Sequence, residues 1–130
     1  MDSPLEIIFR DIAANPGIEN LVHEKFSKIQ KISPDVVKCR VVMDKLSKHH
    51  KKGNICRVSL DIKLARFVDI VVHEESMEGE PSLTSAIREV FKRAHELVRK
   101  QIERRETKIS RRKKKEVEIM EPEERSEGDE

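Results

Sequence analysis

Tryptophan and tyrosine are absent from the 130 residues, and phenylalanine occurs only four times. Any core must therefore be aliphatic. Glycine is also scarce, with four scattered residues, and none sits between a strand and a helix in the pattern of a phosphate-cradling loop. Two cysteines, Cys39 and Cys56, are too few for a disulfide scaffold, and zinc would need two more ligands. Both fall at inward positions of predicted strands, where a free thiol behaves as a small hydrophobe. No apolar run approaches the roughly 18–20 residues of a membrane span, and no secretory signal opens the chain. A transmembrane, exported or collagen-like protein is not expected; a cytoplasmic one is.

Charge is plentiful: 27 Lys and Arg face 25 Asp and Glu, a formal net of +2. The near balance hides an asymmetry. Residues 116–130 hold eight acidic groups and one basic group, Arg125, for a net of −7, so the first 115 residues carry +9. A basic body implies a polyanionic partner, and an acidic tail either competes for the same surface or only aids solubility.

Alternation of Leu5, Ile7 and Phe9 with Glu6, Ile8 and Arg10 predicts a half-buried strand. Asn15-Pro16-Gly17 breaks it. Ile18, Leu21, Val22, Phe26, Ile29 and Ile32 then follow helical spacing until Ser33-Pro34. Three further strands follow. Val37, Cys39, Val41 and Met43 point inward on the first of them. Cys56, Val58, Leu60, Ile62 and Leu64 do so on the second, and Val68, Ile70 and Val72 on the third. Gly79 to Ser82 starts a second helix, whose apolar stripe runs from Leu83 through Ala86, Ile87, Val90, Phe91, Ala94, Leu97 and Val98 to Ile102. The order β-α-β-β-β-α predicts an α+β domain of two layers, a four-stranded sheet with both helices packed on one face. That domain is expected over residues 1–107. Periodicity then stops, and no packed structure is expected of the charged tail, 108–130, which is basic and then acidic.

A search for catalysis returns little. No Ser or Cys nucleophile has an identifiable base, and His49 and His50 sit in a polar loop without further metal ligands. His23 and His95 fall on helices and His73 points outward on a strand. No enzyme, cofactor, metal site or small-molecule substrate is expected. The basic residues are better organised. Lys25, Lys28 and Lys31 recur every three residues on the first helix. On the second, Arg88, Lys92, His95 and Arg99 lie within about 60° of each other, and Arg93, Lys100 and Arg104 form another stripe. Glu89, Glu96 and Glu103 run between the two. A helix surface stitched by salt bridges explains such a pattern as well as function does. Basic ridges presented by two neighbouring helices to one side favour phosphate binding with steep salt dependence. Only Phe67, at a strand edge, could offer a ring to a base, so recognition should rest on backbone shape and charge.

The arrangement resembles the ribosome hibernation promoting factors, also called ribosome-associated translation inhibitors or protein Y, over roughly Leu5 to Thr107. The resemblance rests on the strand order, on Val22-His23-Glu24-Lys25-Phe26-Ser27-Lys28-Ile29, and on Ser85-Ala86-Ile87 opening a helix that reaches Arg99-Lys100. Lys25 and Lys28 match the basic residues of the family's Lys-Phe-x-Lys-Leu pattern, and Arg93 and Lys100 match basic positions of its last helix. It implies a domain seated on the small ribosomal subunit, in the channel of messenger RNA and tRNA anticodon ends, and on whole ribosomes. There it would block initiation and protect idle ribosomes in stationary phase or stress. Basic side chains would grip ribosomal RNA. The chain departs from the family at Glu96 and Ile102, where basic residues are expected, and at Pro81-Ser82-Leu83, which replaces Asp-Met-Tyr. Lys48, Lys51 and Lys52 could add a contact from the loop Ser47–Asn54. With some 23 residues after Thr107, the chain is read as a short form. A general double-stranded RNA binder is the alternative reading, and a protein-interaction adaptor a third.

Overall fold

The computed structural model describes the backbone of residues 4–46, 55–77 and 79–120, and side chains as far as Thr107. The elements are β1 (Leu5–Arg10), α1 (Pro16–Ile32), β2 (Val36–Lys45), β3 (Ile55–Leu64), β4 (Ile70–Met77) and α2 (Glu80–Met120). The four strands form one mixed sheet in the order β1-β2-β3-β4. β1 lies parallel to β2, as a helical crossover requires, and the other pairs are antiparallel. The order and the α+β class are those expected from the periodicity.

Period two decides which face is which. Cys39, Val41 and Met43 of β2, Cys56 to Leu64 at alternate positions of β3, and Ile70 and Val72 of β4 are all buried. Their neighbours Lys38, Arg40, Asp61, Lys63, Val71 and His73 are exposed. The apolar face meets the buried stripes of both helices: Ile18, Val22, Phe26 and Ile29 from α1, and Leu83, Ala86, Ile87, Val90, Phe91, Ala94 and Val98 from α2.

α1 is delimited by local chemistry. The Asn15 carboxamide oxygen accepts from the backbone N–H groups of Gly17 (2.8 Å) and Ile18 (3.2 Å), and Pro16 occupies a first-turn position that needs no donor. At the other end the Ser33 N–H still reaches the Ile29 carbonyl (3.0 Å) before Pro34 stops the helix. α2 begins after Gly79, whose φ of 121° is a conformation reserved for glycine.

The structure corrects three expectations. Val37 is 57% exposed, because the β2–β3 register shifts between Val36 and Lys38 and leaves it unpaired. Val68 is 76% exposed and precedes β4, in a turn where the Asp69 carboxylate accepts from the Leu64 N–H (3.4 Å). Leu97 is exposed as well. It lies at the margin of the α2 stripe, whose buried line continues past it to Val98 at 1% exposure. The backbone stays helical to Met120, well past the last periodic residue. Hydrophobic periodicity reports packing and not helicity, and the Lys, Arg, Glu and Gln of this stretch are strong helix formers. The chain divides into two compact units, Met1–Val98 and Arg99–Glu130. No helix among the described residues is long and apolar enough to cross a membrane.

Candidate nucleic-acid interface

Strand directions set how the two helices lie within the first unit. β1, β2 and β4 all point the same way, so α1, returning from β1 to β2, runs against them. α2 runs back along β4: its first turns flank Glu74 to Met77, and Arg93 reaches His73 and Glu74. The two helices are therefore parallel, with adjacent N-termini, where the Asn15 amide donates to the Glu80 carboxylate at 3.3 Å.

Parallel helices have a useful property. Seen from the same end, one rotational sense leads from each buried stripe to the same side of the molecule. On α1, Lys25, Lys28 and Lys31 step away from the stripe in one sense, about 60° apart. On α2, Arg93 lies on that same flank, and its contact with Glu74 shows that the flank faces edge strand β4. Arg88 and His95 lie on the other flank of α2, which faces α1, and Lys92 lies on the crest, almost opposite the buried stripe. Since α1 packs on the β1 side of the sheet, the flank with Lys25 and Lys28 faces α2, and Lys31 lies on its crest. Angular position thus sets Lys25 and Lys28 on one helix and Arg88 on the other on facing flanks, with Lys31 and Lys92 pointing away from the sheet.

The nine expected site residues sort into three groups. Lys25 is half-buried and Lys28, Lys31, Arg88 and Lys92 are exposed; none of the five makes an ion pair with a described residue that would hold it back from a phosphate. Arg93 is different. Its Nη2 donates to Glu74 Oε1 (2.7 Å) and to the His73 carbonyl (2.8 Å), and its Nε lies 3.7 Å from Glu89. Arg99, Lys100 and Arg104 are exposed and belong to the second unit. The loop with His49, His50, Lys48, Lys51 and Lys52 lies outside the described residues.

On the opposite face of the sheet most described charges have opposite-sign neighbours, Lys38 and Lys63 being set across from each other. Across the strands one row reads Arg10, Asp44, Arg57, Glu75, and another reads Glu6, Arg40, Asp61, Val71. Opposite charges alternate within both rows, with Glu6 near Lys38 and Arg40 (both 3.8 Å) and Arg57 near Glu75 (3.5 Å). Such pairs add little stability, but they leave the face close to neutral.

One signal is underweighted by reading the helices as ridges. Residues 1–98 carry 16 basic and 15 acidic groups, a net of only +1, whereas residues 99–115 carry ten basic and two acidic groups, a net of +8. Arg105, Lys108 and Arg111 to Lys115 contribute to this. Counting charge by unit instead of over the whole body would have found it.

No group of three or more potential metal ligands occurs among the described residues. Cys39 and Cys56 are both free and buried. Burial first, and the Asp61 charge second, push the Cys39 thiol from 9.0 up to about 12. A thiol raised in this way keeps its proton in the fold when the unfolded chain has lost it. Its contribution to stability is complete below pH 9 and disappears as pH rises toward 12. Cys39 should therefore resist alkylation by iodoacetamide at pH 8 in the native protein and react within minutes in 6 M guanidinium, as read by mass spectrometry. Rapid native labelling at Cys39 would contradict its placement in the core.

Comparisons with known proteins agree with this architecture. Residues 5–110 match a family model described as Sigma 54 modulation protein / S30EA ribosomal protein. The fold is similar to the Protein Y N-terminal domain of Thermus thermophilus, with a TM-score of 0.52 and 18% identity over 73% of this chain and 93% of that one. It is similar also to a ribosomal subunit interface protein of Coxiella burnetii, with a TM-score of 0.52 and 13% identity over 72% and 94%. No curated protein sequence matches the chain.

Proposed function

Because the chain belongs to the Sigma 54 modulation protein / S30EA ribosomal protein family, we propose that it is a ribosome-associated translation inhibitor. It binds the small subunit in the channel for messenger RNA and tRNA anticodon ends, and it stabilises idle ribosomes under stress. What supports this reading is that Lys25 and Lys28 of α1 and Arg88 of α2 lie on flanks that face each other, with Lys31 and Lys92 on the crests beside them and none of the five in an ion pair with a described residue. Phosphates along folded RNA neutralise such a groove and release counterions. Arg99, Lys100 and Arg104 supply further contacts from the second unit. Arg93 is left out of the grip, because its guanidinium already serves Glu74 and His73. No bond is made or broken, and occupancy alone inhibits.

Sucrose-gradient sedimentation tests the reading. The protein should cofractionate with small subunits and whole ribosomes and leave them as salt rises from 50 to 500 mM. It should also compete with messenger RNA for the subunit. Equal affinity for any long RNA duplex would put a general structured-RNA binder in its place, and no association with either would sink both.

A further inference from the structure

Hydrogen-bond parity along the sheet identifies the open backbone groups of β4. The Leu46 N–H donates to the Ile55 carbonyl (2.8 Å), so Ile55 is in a hydrogen-bonded pair with β2. Odd-numbered residues of β3 therefore turn their backbone groups toward β2, and even-numbered ones turn toward β4. By the β3–β4 register these meet Ser76, Glu74, Val72 and Ile70. The N–H and C=O groups of Val71, His73, Glu75 and Met77 point away from the sheet, along an edge where no further strand lies among the described residues.

This edge has what strand pairing needs. It is eight residues long, its sequence begins Ile70-Val71-Val72, and Val71 and Met77 are 66% and 50% exposed. An antiparallel pairing of two β4 strands centred on His73 would set each Glu75 opposite a Val71, not another carboxylate. Its own charges do not forbid it. At its end the Met77 carbonyl already accepts from the Ser76 hydroxyl (2.9 Å), and among the described residues the obstacle to pairing stands at the centre. Arg93 crosses from α2 and gives Nη2 to the outward His73 carbonyl at 2.8 Å, while Glu74 at 2.7 Å and Glu89 at 3.7 Å hold the guanidinium in place.

We infer that Arg93 guards the β4 edge, keeping it from adding, strand to strand, to the β4 edge of a second copy of this chain. The role is independent of any affinity for RNA.

Light scattering coupled to size exclusion, run from 10 to 500 μM, tests this. The wild-type chain should elute at its one-chain mass of 15.1 kDa throughout. Arg93→Ala should approach twice that mass as concentration rises, and Glu74→Ala, which frees the guanidinium, should do so less. Val71→Pro deletes an outward N–H without touching the β3 ladder, so the double variant Arg93→Ala/Val71→Pro should return to one chain. A monomeric, folded Arg93→Ala would overturn the inference, with folding checked by circular dichroism. So would a dimer that survives Val71→Pro, or a wild-type chain already paired through this edge. Should Arg93→Ala not fold, Arg93→Gln and Glu74→Ala carry the same test. Arg93→Gln is also expected to bind ribosomes within about threefold of wild type, which separates a guard from an RNA contact.

Discussion

Replacing Lys25, Lys28, Arg88 and Lys92 together by glutamate is expected to abolish cosedimentation with the small subunit while leaving the circular dichroism spectrum unchanged. Each side chain is exposed or half-buried and lies outside the core, so the fold does not depend on its charge. Each lost phosphate contact lowers the slope of log affinity against log salt by about 0.7–0.9. Four contacts therefore remove about three units of slope and about 1,000-fold in affinity near 100 mM salt, before repulsion from the new carboxylates is counted. The control is on the other side of the sheet. Reversing Lys38 and Lys63, both exposed there, should change affinity by no more than about threefold. Equal losses from the two sets would show that net charge matters and the groove does not.

Phe91→Ala carries the largest expected cost in stability. Phe91 is 2% exposed in the stripe that α2 lays on the sheet, among neighbours that cannot collapse into the vacated volume. Phe→Ala truncations at such sites cost about 3–5 kcal/mol. A domain of this size has about 5–15 kcal/mol in total. With a urea slope of about 1–3 kcal/mol/M, the unfolding midpoint should fall by about 2 M. Leu97→Ala is the matched comparison. Leu97 lies only two turns along the same helix but is 41% exposed, and its truncation should cost under about 1 kcal/mol. Equal shifts for the two variants would mean that the burial pattern of α2 is wrong.

The fold was legible because local spacing decides most of it. Strict alternation in β3 and the Leu83-to-Val98 stripe each admit one face, and three successive strands with short links admit few pairings. The misreadings share one cause, which is tertiary context that no local period records. Val37 follows the alternation and yet falls in a register shift, set by how β2 meets β3. Leu97 follows the helical stripe but lies at its margin, beside the fully buried Val98. The partner of Arg93 was likewise out of reach of local spacing, because Glu74 lies 19 residues away, on a strand. The groove was half legible. Angular spacing groups the basic residues on each helix, but only strand direction tells which flank of each helix faces the other.

The alternating rows of the uncovered sheet face have a kinetic consequence. Opposite charges that alternate at short range cancel at a distance, so this face exerts almost no pull on a phosphate that is still far away. Encounters through it are neither hastened nor held, and a molecule that arrives that way up is free to leave and turn over.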